Sequence, residues 1–166
     1  MKIIGFSQID GQIKMVLKCD SSLLVNRKPF FVPEWSSDIQ MTPCVVFRVS
    51  RMGKYIGSRF ANRYYDAVAM GLNLCASDHL AAGDWVRAFA FDGSLPVGNW
   101  MDVNANPFSD LVIDIDTAIA KASQVMTIRQ GDLIVIDRDI APRKVVKEEV
   151  ITIQQNEQEL LYCKIK

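Results

Sequence analysis

One alternating stretch near the middle of the chain constrains the fold more than any other feature. In Ala67–Cys75 (AVAMGLNLC), large apolar side chains occupy every second position and small or polar ones lie between them. A period of two residues is typical of a β-strand, because successive side chains point to opposite faces of the sheet. The small face, which includes Gly71, allows another chain segment or a ligand to approach closely.

Other segments favour further short strands. Cys44–Ser50 is apolar and β-branched, and the glycine-containing break after it predicts a hairpin. Leu133–Ile136 (LIVI) is typical of a buried strand, and Glu149–Ile153 with Leu160–Ile165 predicts a final antiparallel pair.

Helical patterns are fewer. Asp114–Met126 has apolar residues at helical spacing and aspartates at its N-terminal end, so it predicts a helix. Ser58–Tyr65 predicts a short helix with Ser58 as N-cap, and Ala81–Phe89 is ambiguous. We therefore expect a β-rich α+β domain with two or three short helices.

Composition limits the class of protein. The 166 residues contain 49% hydrophobic and 23% charged residues, as globular chains do. No repeat or linker interrupts them, so we expect a single domain spanning residues 1–166. The 19 basic and 19 acidic residues give a net charge of zero. This argues against nucleic-acid and anionic-membrane partners, which require a basic excess.

Processing signals and metal-binding patterns are also missing. The N-terminal residues lack a signal-peptide pattern, and no apolar run approaches the roughly 20 residues that span a bilayer. The four cysteines form no CxxC pair, and we interpret them as reduced thiols of a cytoplasmic protein. His79 is the single histidine, which excludes mechanisms or zinc sites that need two histidines from one chain.

Four segments occur in an order that resembles a known family. They are Leu17–Pro33, Val45–Leu74, Phe91–Gly98 (FDGSLPVG) and Thr127–Ile136 (TIRQGDLIVI). Together they resemble the fumarylacetoacetate hydrolase family, especially its short bacterial members, which are acylpyruvate hydrolases, isomerases or decarboxylases of 2-oxo acids. The resemblance covers nearly the whole chain and implies that family's C-terminal-domain-like mixed β-sheet roll.

The resemblance also implies where catalytic groups would lie. Family members hold Mg²⁺, Mn²⁺ or Ca²⁺ with an E-x-E pair and a later aspartate, and use a lysine, a Gly-Thr-Pro loop and, in hydrolases, an N-terminal His–Glu dyad. Gly5–Lys14 has no histidine for such a dyad. The other positions, in the order of the chain, are occupied by Thr42 and Cys44 for the E-x-E pair, Asn73 for the aspartate, Ser77 and Asp78 for its Arg-Asp ending, Phe89 for the lysine, and Asp137, Arg138 and Asp139 for the loop.

These replacements predict that the family's metal does not bind. Three carboxylates would bring three negative charges to a dication, whereas Thr42, Cys44 and Asn73 bring none. One thiol with an amide and a hydroxyl is not a zinc set either. We expect no cofactor and no catalysis toward the family's usual substrates.

Several groups offer alternative sites. Cys75 and His79 could form a nucleophile pair beside Cys44, but we favour a buried, inert Cys75 and a surface or capping His79. Asp132, Asp137 and Asp139 could bind a cation, but we favour a solvated loop in which Arg138 is the internal partner.

Two aromatic groups carry similar alternatives. The segment Arg59, Arg63, Tyr64 and Tyr65 could bind an anion, and Trp35, Trp85 and Trp100 could line the cleft. For both groups we favour packing in the core or at an interface.

The residue at position 89 predicts the size and polarity of the cleft. A bulky apolar residue there, with Met41 and Cys44 nearby, predicts a smaller and more apolar pocket. We therefore expect a non-catalytic family member kept as a binding or structural protein, as a homodimer or a heterodimer with an active relative. Two alternatives remain: an enzyme with altered, metal-independent chemistry, and a sensor that binds a small molecule in the cleft.

Overall fold

The computed structural model describes residues 1–25, 27–106 and 108–166, and it is a mixed α+β structure rich in strands. Three 3-10 helices cover Asp20–Ser22, Ser58–Arg63 and Val103–Ala105. The remaining elements, in chain order, are β1 (Ile3–Ile9), β2 (Gln12–Lys18), β3 (Leu23–Leu24), β4 (Ile39–Val49), β5 (Tyr65–Ala76), α1 (Ser77–Ala81), α2 (Trp85–Phe89), β6 (Leu95–Pro96), β7 (Met101–Asp102), α3 (Ile115–Val125), β8 (Leu133–Asp137), β9 (Arg143–Lys144), β10 (Val150–Gln155) and β11 (Gln158–Lys164).

A seven-stranded mixed sheet organises the chain. Its order is β2-β1-β8-β4-β5-β7, and β9 also pairs with β4. β1 and β8 run parallel, whereas β4 runs antiparallel to both β8 and β5. β3 and β6 form a small parallel pair, and β10 and β11 form an antiparallel pair. The open mixed sheet with few short helices confirms the predicted fold class.

The two faces of the sheet are covered differently. The large apolar residues of β5, such as Met70 and Leu72, belong to the main core, which also includes Ala118 and Ile119 of α3 and Leu160 of β11. The small residues of β5 lie on the other face. There a Cβ added to Gly71 would come within 3.2 Å of the Pro96 carbonyl, so the β6 segment approaches closely, as the small face predicts.

Two local predictions need correction. β4 and β5 do pair, but residues 50–64 connect them instead of a tight turn, because the backbone of Gly53 bonds to Ile128. Ser58 starts a 3-10 helix and is not its N-cap; Gly57 holds that position without a side-chain hydrogen bond.

The predicted helix and final strand pair are confirmed. Asp114 caps α3 by accepting a hydrogen bond from the Thr117 amide at 2.8 Å. β10 and β11 meet at Asn156 and Glu157, both with positive φ, as a two-residue hairpin turn of type I′ requires. Among the described residues, no helix has the length and apolar character to cross a membrane.

Candidate functional site

The register of four strands collects polar side chains on the small face of the sheet. Ser7 follows the last residue that β1 pairs with β8, and Asp137 ends β8 at the same level. Asp137 is also the register partner of Cys44 in β4, and Thr42 is the partner of Asn73 in β5. Residues that lie far apart in the chain therefore meet in one cleft.

A hydrogen-bonded pair occupies the centre of this cleft. The side-chain amide of Asn73 donates to Asp137 Oδ1 at 2.8 Å and to Ser7 Oγ at 3.0 Å. Asn73 is 3% exposed and Asp137 is 5% exposed. Within the described part of the chain, Asn73 Oδ1 is a buried acceptor without a hydrogen-bond partner.

Burial changes the proton affinity of Asp137. Removal from water raises the pKa of its carboxyl to about 7, although the hydrogen bonds from Asn73 and Ser7 and the charge of Lys18 oppose the rise. A carboxyl with such a pKa can exchange a proton near neutral pH.

Lys18 is a functional candidate that the sequence analysis missed. Its ammonium group donates to the carbonyls of Leu74 and Phe89, both at 2.9 Å, and to Ser94 Oγ at 3.0 Å. Burial lowers its pKa to about 8. No signal in the sequence indicates this, because the alternation of β2 places Lys18 on the same face as Gln12 and Lys14, a pattern typical of a solvated face.

The cleft itself is small. Its cavity measures about 80 Å³. Phe89 is part of its lining and is only 2% exposed. The polar residues of its lining are Ser7, Gln8, Gln40, Thr42, Asn73, Ser77 and Asp137.

This donor set does not fit a hard divalent cation. Such ions need anionic oxygens, and Thr42 and Asn73 offer neutral ones. Burial raises the pKa of the Cys44 thiol well above its usual range, so it stays protonated. The amide nitrogen of Asn73, not its oxygen, faces the carboxylate of Asp137. Across the described residues, no group of three or more His, Cys, Asp or Glu side chains is placed to hold a metal.

Asp78 adds no carboxylate to this donor set. Its carboxylate accepts hydrogen bonds from the Ser37 amide at 2.9 Å and from Ser36 Oγ at 2.7 Å. These bonds, above all the one from Ser37, lower its pKa to about 2. Asp78 therefore holds the segment before β4, outside the lining of the cavity.

The predicted loop of Asp137, Arg138 and Asp139 needs correction. Asp137 is not solvated but ends β8 inside the cleft. Arg138 pairs with Asp110 at 2.7 Å instead of with its neighbours, and Asp139 is exposed. Asp132 pairs with Lys2 at 2.6 Å, so these aspartates form no common site.

Cys75 and His79 have separate environments. Burial raises the pKa of the Cys75 thiol to about 12, and His79 Nε2 lies 3.1 Å from the Trp35 carbonyl oxygen. The His79 ring also packs against the Trp35 ring, with centroids 5.2 Å apart. The structure therefore gives no support to a Cys–His nucleophile.

The arginine–tyrosine segment and the three tryptophans lie in different environments. Tyr65 packs against Phe47 and donates its hydroxyl to Asp116, whereas Arg59 and Arg63 lie at the surface beside Phe60. Trp35, Trp85 and Trp100 are each about half exposed and do not line the cavity, so they are neither core residues nor cleft residues.

Comparison with solved structures identifies this architecture. A 5-carboxymethyl-2-hydroxymuconate delta-isomerase from Mycobacterium smegmatis superposes with a TM-score of 0.84 at 17% identity, covering 99% of this chain and 78% of the isomerase. A protein from Yersinia pestis CO92 assigned to the fumarylacetoacetate hydrolase family gives 0.84 at 16%, covering 99% and 92%. The chain has the fumarylacetoacetate hydrolase fold.

A third solved structure is also similar in fold and low in sequence identity. The 2-hydroxyhepta-2,4-diene-1,7-dioate isomerase from Mycobacterium marinum gives a TM-score of 0.83 at 19% identity, covering 99% of this chain and 73% of the isomerase. No family model and no curated protein sequence matches the chain. At these identities the likeness defines the fold, and the site residues must indicate the function.

Proposed function

We propose that this chain is a member of the fumarylacetoacetate hydrolase family that has lost the family's metal-dependent chemistry and is kept as a binding protein. The observation that carries the proposal is the bond between Asn73 and Asp137 at the centre of the cleft. A dication would need several carboxylate oxygens at this place. This chain has a single carboxylate there, Asp137, and the side-chain amide of Asn73 donates a hydrogen bond to it.

The size of the cavity supports the same proposal. Small-molecule sites usually enclose roughly 300 Å³ or more, whereas this cavity of about 80 Å³ has room for a few water molecules. Phe89 occupies one wall, so an acylpyruvate cannot enter without displacing buried side chains. The cleft therefore suits a structural core better than turnover of 2-oxo acids.

Thiol chemistry does not offer a replacement. The nucleophilic form of cysteine is the thiolate, and burial raises the pKa of both thiols near the cleft, that of Cys75 to about 12. Cys44 and Cys75 therefore remain neutral at physiological pH.

The decisive experiment is a calorimetric titration of the metal-stripped protein with Mg²⁺ and Mn²⁺, followed by an acylpyruvate turnover assay. We expect neither binding heat nor turnover from the natural chain. The variant Thr42→Glu/Cys44→Glu/Asn73→Asp, checked for folding by circular dichroism, restores three carboxylates and is expected to gain binding heat. Tight metal binding with turnover by the natural chain would overturn the proposal.

Metal-independent acid–base chemistry is the second candidate function, and one observation favours it. The pKa of Asp137 at about 7 suits a general base, which a keto–enol conversion of an acylpyruvate requires. Chelator-insensitive exchange of the substrate's C3 protons, abolished in Asp137→Asn, would support this candidate. Exchange at the uncatalysed rate would exclude it.

A further inference from the structure

Two of the acid-free stretches of the sequence lie far apart in the chain and carry several basic residues. Residues 50–65 and 118–131 together carry six basic side chains, and all 19 carboxylates of the chain lie outside them. The six are Arg51, Lys54, Arg59, Arg63, Lys121 and Arg129. Because the net charge of the whole chain is zero, this separation of charge is local.

The fold joins the two stretches into one surface, here called the basic face. The amide of Gly53 donates to the Ile128 carbonyl and the amide of Ile128 donates back, both at 3.0 Å. The amide of Tyr55 donates to the Ser123 carbonyl, also at 3.0 Å. Lys54 Nζ reaches the carbonyl of Val125 at the end of α3, at 3.2 Å.

Aromatic rings hold several of these cations in position. The guanidinium groups of Arg59 and Arg63 lie 4.6 Å and 5.3 Å from the centre of the Phe60 ring. That of Arg51 lies 5.9 Å from the ring of Tyr64. Such contacts limit the freedom of the long side chains, so less entropy is lost when they bind an anion.

The cations of the basic face also lack carboxylate partners. In residues 1–25, 27–106 and 108–166, eight ion pairs form, and none includes any of the six basic side chains. Apolar side chains lie among them in solvent, with Met52 69%, Tyr55 73% and Phe60 40% exposed. The surface thus combines cations that have no carboxylate partner among the described residues with exposed apolar contact area.

We infer that the basic face binds an Asp- and Glu-rich polypeptide segment of a partner protein. This inference rests on the proposed function, since it names what the retained binding protein binds. Arginine forks pair with carboxylates through two parallel hydrogen bonds, and the exposed Met52, Tyr55 and Phe60 can cover apolar residues between the acidic ones.

Other occupants fit the charges less well. A second copy docked through the same face about a twofold axis would place like charges opposite each other. Nucleic acids and anionic membranes attract proteins through an extended basic excess, which a chain of zero net charge lacks. A short acidic segment needs only the local charge of the basic face.

The test uses fluorescence anisotropy with a labelled peptide that alternates Glu with Leu, and with its Gln-for-Glu counterpart. The variant Arg59→Gln/Arg63→Gln removes two exposed charges of the basic face. Its matched control, Lys28→Gln/Lys147→Gln, removes two exposed charges elsewhere. We expect saturable binding of the acidic peptide alone, weakened about tenfold in the first variant, unchanged in the control, and reduced by salt.

Several outcomes would overturn the inference. They are no saturable binding, equal losses in both double variants, tighter binding of single-stranded DNA or of phosphatidylserine vesicles, and a dimer that the first variant abolishes. Failure of the proposed function is seen separately in the calorimetric and turnover assays. If the acidic peptide does not bind and the protein also binds no metal, this inference is refuted and the proposed function stands.

Discussion

Asp137 and Lys18 are both buried and close enough for their charges to interact, and burial drives their pKa values toward each other, to about 7 and about 8. A buried carboxylate and a buried ammonium are each costly when charged, and each lowers the cost of the other. The Lys18 ammonium group also donates hydrogen bonds to the Leu74 carbonyl of β5 and to the Phe89 carbonyl at the end of α2. The Lys18 side chain therefore connects strands β2 and β5 of the sheet to helix α2.

The raised pKa of Asp137 makes a prediction about stability. The folded carboxyl titrates near 7 and the unfolded one near 3.9, so the folded state binds more protons between these values. The contribution is present at low pH and is lost as pH rises to about 7. Asp137→Asn should be more stable than the natural chain at pH 8, by on the order of 2 kcal/mol, and should show a flatter pH profile.

Urea denaturation at pH 5 and pH 8 measures this effect. Asp139→Asn is the matched control, because its carboxylate is exposed two residues away, and it should leave the pH dependence unchanged. Parallel stability curves for the natural chain and Asp137→Asn would contradict the burial argument.

The β10–β11 pair shows how an element outside the sheet is fixed to it. Gly98 donates its amide to the Met70 carbonyl in β5 at 2.8 Å, and Asn99 donates to the Leu160 carbonyl in β11 at 3.0 Å. The backbone at Gly98 is thus clamped between two strands. A Cβ built there would lie 1.8 Å from the Leu160 oxygen.

Gly98→Ala should therefore disrupt the attachment of β11. We expect a loss of about 3 kcal/mol in the free energy of unfolding, at the upper end for overpacking, because a backbone atom cannot move aside. Gly57→Ala is the control, since its added Cβ would meet only the Phe60 ring at an ordinary 3.8 Å. Equal stabilities of the two variants would contradict the assigned contact.

Elements were predictable from the sequence where a period was long and clean. The alternation of β5 and the helical spacing of α3 depend on neighbours in the chain, so both were predicted close to their observed bounds. The connection between β4 and β5 was not, because the partner of Gly53 is Ile128, far along the chain.

At the scale of the whole molecule, β4 holds the central place. It lies between β8 and β5 and is buried on both faces, with Val45 and Val46 fully inaccessible. β2 forms one edge of the sheet, and alternate residues such as Ile13 and Leu17 are about half exposed. Stability should therefore fall from the middle of the sheet toward this edge.

Hydrogen exchange tests that gradient. Amides at the centres of β4, β5 and β8 should exchange only through global unfolding, whereas those of β2 should exchange through local opening with a lower free energy. Peptide-level exchange followed by mass spectrometry distinguishes the two. Protection of β2 equal to that of β4 would mean that another surface covers the edge.

By itself, the sequence determined the strand-rich fold class, the alternation of β5, the extent of α3 and the uncharged side chains at Thr42, Cys44 and Asn73. Each of these depends on residue type and local period. Only the tertiary structure decided that Asp137 enters the cleft, that Lys18 is buried and that two acid-free stretches form one face. Those outcomes depend on pairing between distant strands, because register, not sequence neighbourhood, decides which side chains share a face.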